Sequence, residues 1–214
     1  PRIMVAHRAM LRYIIALIVC TTLSNAVFTG NKVQLHNSFI ACKGDGSCRS
    51  WGQLDDANVY ENELHDIKAI TTSYSGASAL REDGSVIDWG GHSGAPDFIS
   101  LGDPVRSLVS LSVYGKGAIT ESGALYTWGY NWGYPMSEDV ESRLRSGVRS
   151  ALATYYGGHA VLMDDSSVVI YGHELYGGDA HVDVLHALTS GVKQVFAGMT
   201  AFAAVKEDNT LWLW

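Results

Sequence analysis

The chain has 214 residues, 47% of them hydrophobic, enough for one large domain or two small ones with a genuine core, which argues against disorder as its main state. Fifteen Lys and Arg face 22 Asp and Glu, a formal charge of −7 at pH 7. A chain of that sign repels a phosphate backbone instead of displacing its counterions, which argues against nucleic acid as a partner.

The first stretch, PRIMVAHRAMLRYIIALIVCTTLSNAV, contains no acid. From Met4 it reads as a basic region (His7, Arg8, Arg12), an apolar run from Tyr13 to Leu23, and a small-residue exit at Ser24-Asn25-Ala26. These are the parts of a secretory signal peptide, with cleavage expected after Ala26. The apolar run is shorter than the roughly 20 residues a membrane-spanning helix needs. Residues 1–26 are therefore expected to be a signal peptide or N-terminal extension, with an uncleaved anchor as the alternative, and residues 27–214 the folded region. Removing 1–26 leaves 12 basic residues against 22 acidic, a charge of −10. Because the chain starts with Pro and stops inside a phrase it has been repeating, it is expected to be an incomplete stretch of a longer protein.

From residue 41 onward one phrase recurs. Trp51, Trp89, Trp128, Tyr171 and Trp214 are spaced 38, 39, 43 and 43 apart. The eleven residues ending at each align without a gap: ACKGDGSCRSW, ALREDGSVIDW, AITESGALYTW, VLMDDSSVVIY and AVKEDNTLWLW. The middle of each is a turn signal (Asp45-Gly46, Asp83-Gly84, Ser122-Gly123, Asp165-Ser166, Asp208-Asn209), made of residues that tolerate positive φ and hydrogen-bond their own backbone. Apolar pairs flank the turn symmetrically: Leu80 with Val86, Ile119 with Leu125, Leu162 with Val168, Val205 with Leu211. Such pairs face each other across a hairpin, and their shared face is predicted to be buried.

A further strand-like run precedes each of the last four hairpins: IKAITT from Ile67, VRSLVSL from Val105, VRSALATYY from Val148 and VKQVFAG from Val192. Small residues join it to the hairpin. The predicted unit is strand, bend, strand, tight turn, strand ending in an aromatic anchor, then a loop of variable length. Three or four antiparallel strands per 40-residue repeat describe a propeller blade, with the anchor filling the wedge between blades. A solenoid of paired helices has a similar period. It fails here because the mid-phrase Gly or Asp-Gly would break a helix in every repeat. The fold class is thus all-β, a partial β-propeller of about five blades preceded by a hydrophobic segment.

With Trp-Gly closing a hairpin of the form A-L-x-x-D-G-x-V-x-x-W-G, the chain resembles the regulator-of-chromosome-condensation (RCC1-like) repeat family over residues 33 to 214. The resemblance implies a β-propeller, which in this family usually closes with about seven blades. These repeats are shorter than those of the nuclear exchange-factor members and are similar to the compact repeats of secreted bacterial propellers of the β-lactamase inhibitory type. The continuation after Trp-Gly is eroded, keeping Asn131 after the third anchor and Gly177-Gly178 after the fourth. A shared scaffold does not carry function.

Cys42 and Cys48 occupy the columns of Leu80 and Val86 and should face each other across the first hairpin. Directly opposed, non-hydrogen-bonded residues have Cα atoms about 4.5 Å apart, within the span of a disulfide. In an oxidising compartment a cross-strand disulfide is expected, the alternative being two buried thiols acting as small hydrophobes. No second Cys pair completes a metal site. His173, His181 and His186 lie near Glu174, Asp179 and Asp183, but at a spacing that matches no ligand motif, so a solvated loop is expected. Asp83, Asp165 and Asp208 read as turn residues, not catalytic carboxylates. No nucleophile elbow or phosphate-binding loop occurs. Catalytic residues, cofactor and metal are accordingly expected to be absent.

Aromatic residues outside the anchor columns fall in the loops: Tyr130, Trp132, Tyr134, Tyr155, Tyr156 and Tyr176. Loop aromatics on a rigid scaffold suit a recognition surface, the alternative being that they seal gaps between blades. The expected function is a non-enzymatic, secreted or cell-surface scaffold that binds a protein partner through inter-blade loops carrying Tyr130, Asn131, Trp132, Tyr134, His173 and Tyr176. The alternative is a guanine-nucleotide exchange factor-like regulator of a small GTPase, which the resemblance to the nuclear members implies and a cleaved signal peptide would oppose.

Overall fold

The computed structural model describes residues 38–43, 47–52, 64–73, 76–90, 98–99, 101–129 and 136–214. The segment expected to be a signal peptide (1–26) and the loop residues Tyr130, Asn131, Trp132 and Tyr134 lie outside the described residues. Within them the chain forms β1 (Ser38–Cys42), β2 (Cys48–Gly52), β3 (Ile67–Thr72), β4 (Gly76–Arg81), β5 (Val86–Gly90), β6 (Phe98–Ile99), β7 (Val105–Leu111), β8 (Gly115–Thr120), β9 (Leu125–Gly129), β10 (Val148–Ala153), β11 (Gly158–Met163), β12 (Val168–Gly172), β13 (Val192–Ala197), β14 (Phe202–Lys206) and β15 (Leu211–Leu213). They assemble into five antiparallel sheets in chain order: β1-β2, β3-β4-β5-β6, β7-β8-β9, β10-β11-β12 and β13-β14-β15.

The hairpin register is the one the symmetric columns demand. Leu80 opposes Val86, Ile119 opposes Leu125, Leu162 opposes Val168, Val205 opposes Leu211, and Cys42 opposes Cys48. The turns explain the fixed register. Gly84, Gly123, Ser166 and Asn209 all hold positive φ between 64 and 83°, the region Gly enters freely and Asn tolerates. The Asp83, Asp165 and Asp208 carboxylates each accept the backbone N–H two residues on, from Ser85, Ser167 and Thr210, at 2.9 Å. Hydrogen bonds from these Ser and Thr residues hold all three carboxyls below the usual carboxylate range. The third turn has Ser122 in the Asp column, and its N–H is taken instead by Asp103 at 3.2 Å.

The sheets pack face to face in series, which follows from the two-residue period of a strand: each sheet has an anchor face and a hairpin-pair face. Trp89, 1% exposed, lies on Ile40 and Cys48 of the preceding sheet. Trp128 packs on the cluster of Leu80 and Val86, Tyr171 on that of Ile119 and Leu125, and Trp214 on that of Leu162 and Val168. Each of these four anchors therefore fills the wedge against the blade before it. The last hairpin pair differs from the expected buried face: Leu211 is 60% exposed, because among the described residues no sheet lies against it.

Two features are absent from the predicted unit. Short helices, Glu138–Arg143 and Val182–Ala187, occupy loops expected to be irregular. Each helix ends at a buried leucine, Leu144 or Leu188, whose carbonyl accepts the N–H of Leu125 or Val168 at 2.8 Å. Leu64 does the same for Cys48 at 2.9 Å, and Ile99 of β6 pairs with Val86. The connecting loop thereby satisfies the outer edge of the third strand, where an open row of N–H and C=O groups would otherwise invite pairing.

Candidate interaction face

Strand alternation sends two kinds of segment to one side of the array. The first strand of a blade runs toward that side and bends back into the second, and the third returns there with its Trp-Gly. The bends and the loops after the anchors therefore share a face, and the Asp-containing hairpin tips lie on the opposite one. On the bend face, equivalent residues of three consecutive blades are linked through their backbones: the Val113 N–H donates to the Tyr155 carbonyl at 3.2 Å, and the Tyr155 N–H to the Met199 carbonyl at 3.0 Å.

Beside this ladder the loop after the fourth anchor is closely fixed. Its His173–Gly178 segment forms a 3₁₀ turn over Glu174–Tyr176, with His173 Nδ1 accepting the Leu175 N–H at 3.3 Å. The Tyr176 carbonyl accepts from Thr154 Oγ1 at 2.8 Å, and the Gly177 carbonyl from the Trp214 indole N–H at 3.1 Å. Gly158 is required beneath it, since a Cβ there would stand 2.0 Å from the Tyr176 oxygen.

These constraints bring four rings together. Tyr155 meets Tyr156 edge-on at 4.9 Å, Tyr156 meets Tyr176 at 4.6 Å, and Tyr176 meets His173 at 4.4 Å. All four are half-buried, and around them Leu175 is 80% and Met199 63% exposed. Of the loop residues singled out in the sequence, His173 and Tyr176 thus sit in one aromatic cluster with Tyr155 and Tyr156. Leu175 and Met199 carry no sequence signal of their own, being a lone Leu in a polar loop and a Met after Ala-Gly.

The first strands β3, β7, β10 and β13 line a channel of about 1230 Å³. A neighbouring cavity on the bend face, about 540 Å³, is lined by Thr72, Ser110, Ser112, Thr154 and Tyr155. Among the described residues no Asp, Glu, His or Cys lines that cavity. Among the described residues no three His, Cys, Asp or Glu side chains gather as metal ligands. His173 and His181 instead cap the turns that follow them, His181 Nδ1 accepting the Asp183 N–H at 3.4 Å. Of the candidate disulfide, the register opposition of Cys42 and Cys48 is described and the Cys48 side chain is buried. The Cys42 side chain lies outside what is described. The remaining anchor, Trp51, is placed by its backbone opposite Phe39.

No protein-family model matches the chain, and no curated protein matches it. Solved structures do. The ectodomain of the Physcomitrella patens receptor kinase CR4 is similar over 83% of this chain and 49% of that one, at 16% identity and a TM-score of 0.54. Human WBSCR16 is similar over 83% and 59%, at 18% identity and 0.54. Yeast RCC1 (Prp20), solved bound to Kap60, is similar over 83% and 54%, at 18% identity and 0.55. The chain spans about half the length of these structures, and the likeness establishes the fold as an RCC1-like β-propeller.

Proposed function

We propose that the chain is a non-enzymatic protein-interaction module, secreted or displayed at the cell surface, that holds a protein partner against its bend face. The observation that carries this reading is the cluster of Tyr155, Tyr156, His173 and Tyr176, flanked by the exposed Leu175 and Met199. Rigid aromatic side chains lose little entropy on binding and dominate interface energetics. Here they are fixed by backbone hydrogen bonds from two neighbouring blades, so the surface is organised before a partner arrives. Yeast RCC1 (Prp20), which has the same fold, was solved bound to another protein, Kap60. Secretion is supported by the basic-apolar-small order of residues 4–26.

The test uses the double variant Leu175→Asp, Met199→Asp, with Ser146→Asp, Ser190→Asp as control, two exposed positions beside Gly147 and Gly191 on the hairpin face. Co-purification of a partner from the native host is expected to fall at least tenfold for the first pair and to be unchanged for the second. Equal recovery with both pairs would defeat the reading. N-terminal sequencing of the native protein is expected to start at Val27; a retained Met4 region would defeat secretion by cleavage.

A further inference from the structure

The column opposite the anchors holds Phe39, Ala77, Lys116, His159 and Phe202. Lys116 is an outlier in it. From β8 it crosses the interface between the second and third sheets and reaches Asp88 of β5, which stands opposite Ser78 of β4. Lys116 Nζ lies 2.8 Å from Asp88 Oδ1, with the two side chains 1% and 0% exposed. The Ser78 hydroxyl and the Trp128 indole N–H, the latter at 2.9 Å, both donate to the same Oδ1. Apolar residues of the Leu80, Val86 and Ala118 cluster surround Trp128.

As an ion pair this arrangement is poorly satisfied. Asp88 Oδ2 is buried without a hydrogen-bond partner among the described residues, and Nζ approaches Oδ1 closely without a well-directed hydrogen bond. Removing two charges from water costs several kcal/mol each by order of magnitude, and is recovered only when the remaining protons and lone pairs are paired. Among the described residues the groups left unpaired are Oδ2 and the Nζ protons, and condensation of an amine with a carboxyl expels that oxygen together with two of those protons.

We propose that Lys116 and Asp88 condense to an intramolecular isopeptide bond joining the second blade to the third. A proton first passes from Nζ to Oδ2, giving an amine and a carboxylic acid. Burial draws the Lys116 ammonium pKa down, against the pull of the Asp88 charge. The Nζ lone pair then attacks Cγ, the C–N bond forms, and the carbonyl electrons move onto Oδ1, where the Ser78 and Trp128 donors hold the developing charge. A second Nζ proton passes to Oδ2, the Cγ–Oδ2 bond breaks, and water leaves. Ammonium plus carboxylate become one amide and one water, with no change in oxidation state. Oδ1 keeps both donors, and two buried charges disappear. Fixed proximity replaces the encounter that such a condensation otherwise needs.

The test is tryptic mapping of the full, reduced and denatured chain by mass spectrometry. The expected result is a single species joining the 82–106 peptide to 107–143, lighter than their sum by one water and uncleaved after Lys116. In Lys116→Met the two segments are expected as separate, full-mass peptides. Recovery of the wild-type segments as separate peptides cleaved after Lys116 overturns the proposal, even if the variant fails to fold. A water deficit confined to the 82–106 peptide and persisting in Lys116→Met is an aspartyl imide at Asp83-Gly84, and overturns it too.

Discussion

His159 offers the sharpest quantitative test of the packing. Its ring stacks on the Tyr171 anchor at 4.5 Å and 5° between planes, is 3% exposed, and has no hydrogen-bond partner at Nδ1 among the described residues. Burial lowers its pKa from 6.5 to about 4, against weaker backbone interactions with Tyr171 and Gly157. The folded pKa is thus depressed: between pH 6.5 and 4 the unfolded chain takes up a proton that the folded one refuses. Stability from this group is complete above about pH 6.5 and is lost as pH falls toward 4. The depression from 6.5 to about 4 corresponds to about 3 kcal/mol, at about 1.36 kcal/mol per pH unit. His159→Phe keeps the stack, since Phe202 fills the same column, and removes the titration. Urea unfolding of both proteins from pH 7.5 to 4 should show the wild type losing about 3 kcal/mol more than the variant, with the carboxylates common to both cancelling. Parallel pH profiles would refute the assignment of a neutral, desolvated imidazole at this interface.

Other expectations follow from the same interfaces. Trp89→Ala empties the wedge between the first two sheets and should cost about 3–5 kcal/mol in urea unfolding. Leu125→Ala should cost about 2–5 kcal/mol, whereas Leu211→Ala, at the same column with 60% exposure, should stay within about 1 kcal/mol; equal costs would contradict the uncovered face. With Cys42 opposite Cys48 in register, iodoacetamide should label neither in denatured, unreduced protein and both after reduction, and labelling before reduction would refute the cross-strand disulfide. Gly158→Ala should displace the Tyr176 carbonyl and lower partner recovery along with stability, as read by co-purification and thermal melting.

The repeated hairpin was legible because its physics is local. Asp-Gly and its relatives dictate the turn, the turn fixes register, and register places Leu80 against Val86 and Ile119 against Leu125 without reference to the rest of the molecule. The first strands were legible for a similar reason, since Val105, Val148 and Val192 open β-prone runs at the positions where the strands begin. The plugs Leu64, Leu144 and Leu188 were not, although each stands three or four residues before a first strand, because their role depends on an edge of the preceding sheet. The Asp88–Lys116 contact was hidden more deeply. In sequence Asp88 is one residue of a turn-rich phrase and Lys116 lies in a Gly-rich bend, and only sheet packing brings two alternate columns together. The aromatic face was half legible: aromatics outside the anchor columns flagged Tyr155, Tyr156 and Tyr176, but the exposure of Leu175 and Met199 follows from how the 3₁₀ turn is fixed.

The most direct measurement of the central claim is site-specific photo-crosslinking, with a benzophenone side chain at Leu175 or Met199 on the bend face and at Thr210 or Ser85 on the hairpin face. A discrete protein adduct is expected from the first two positions and none from the others. Adducts of equal yield from both faces, or from the hairpin face alone, would contradict it.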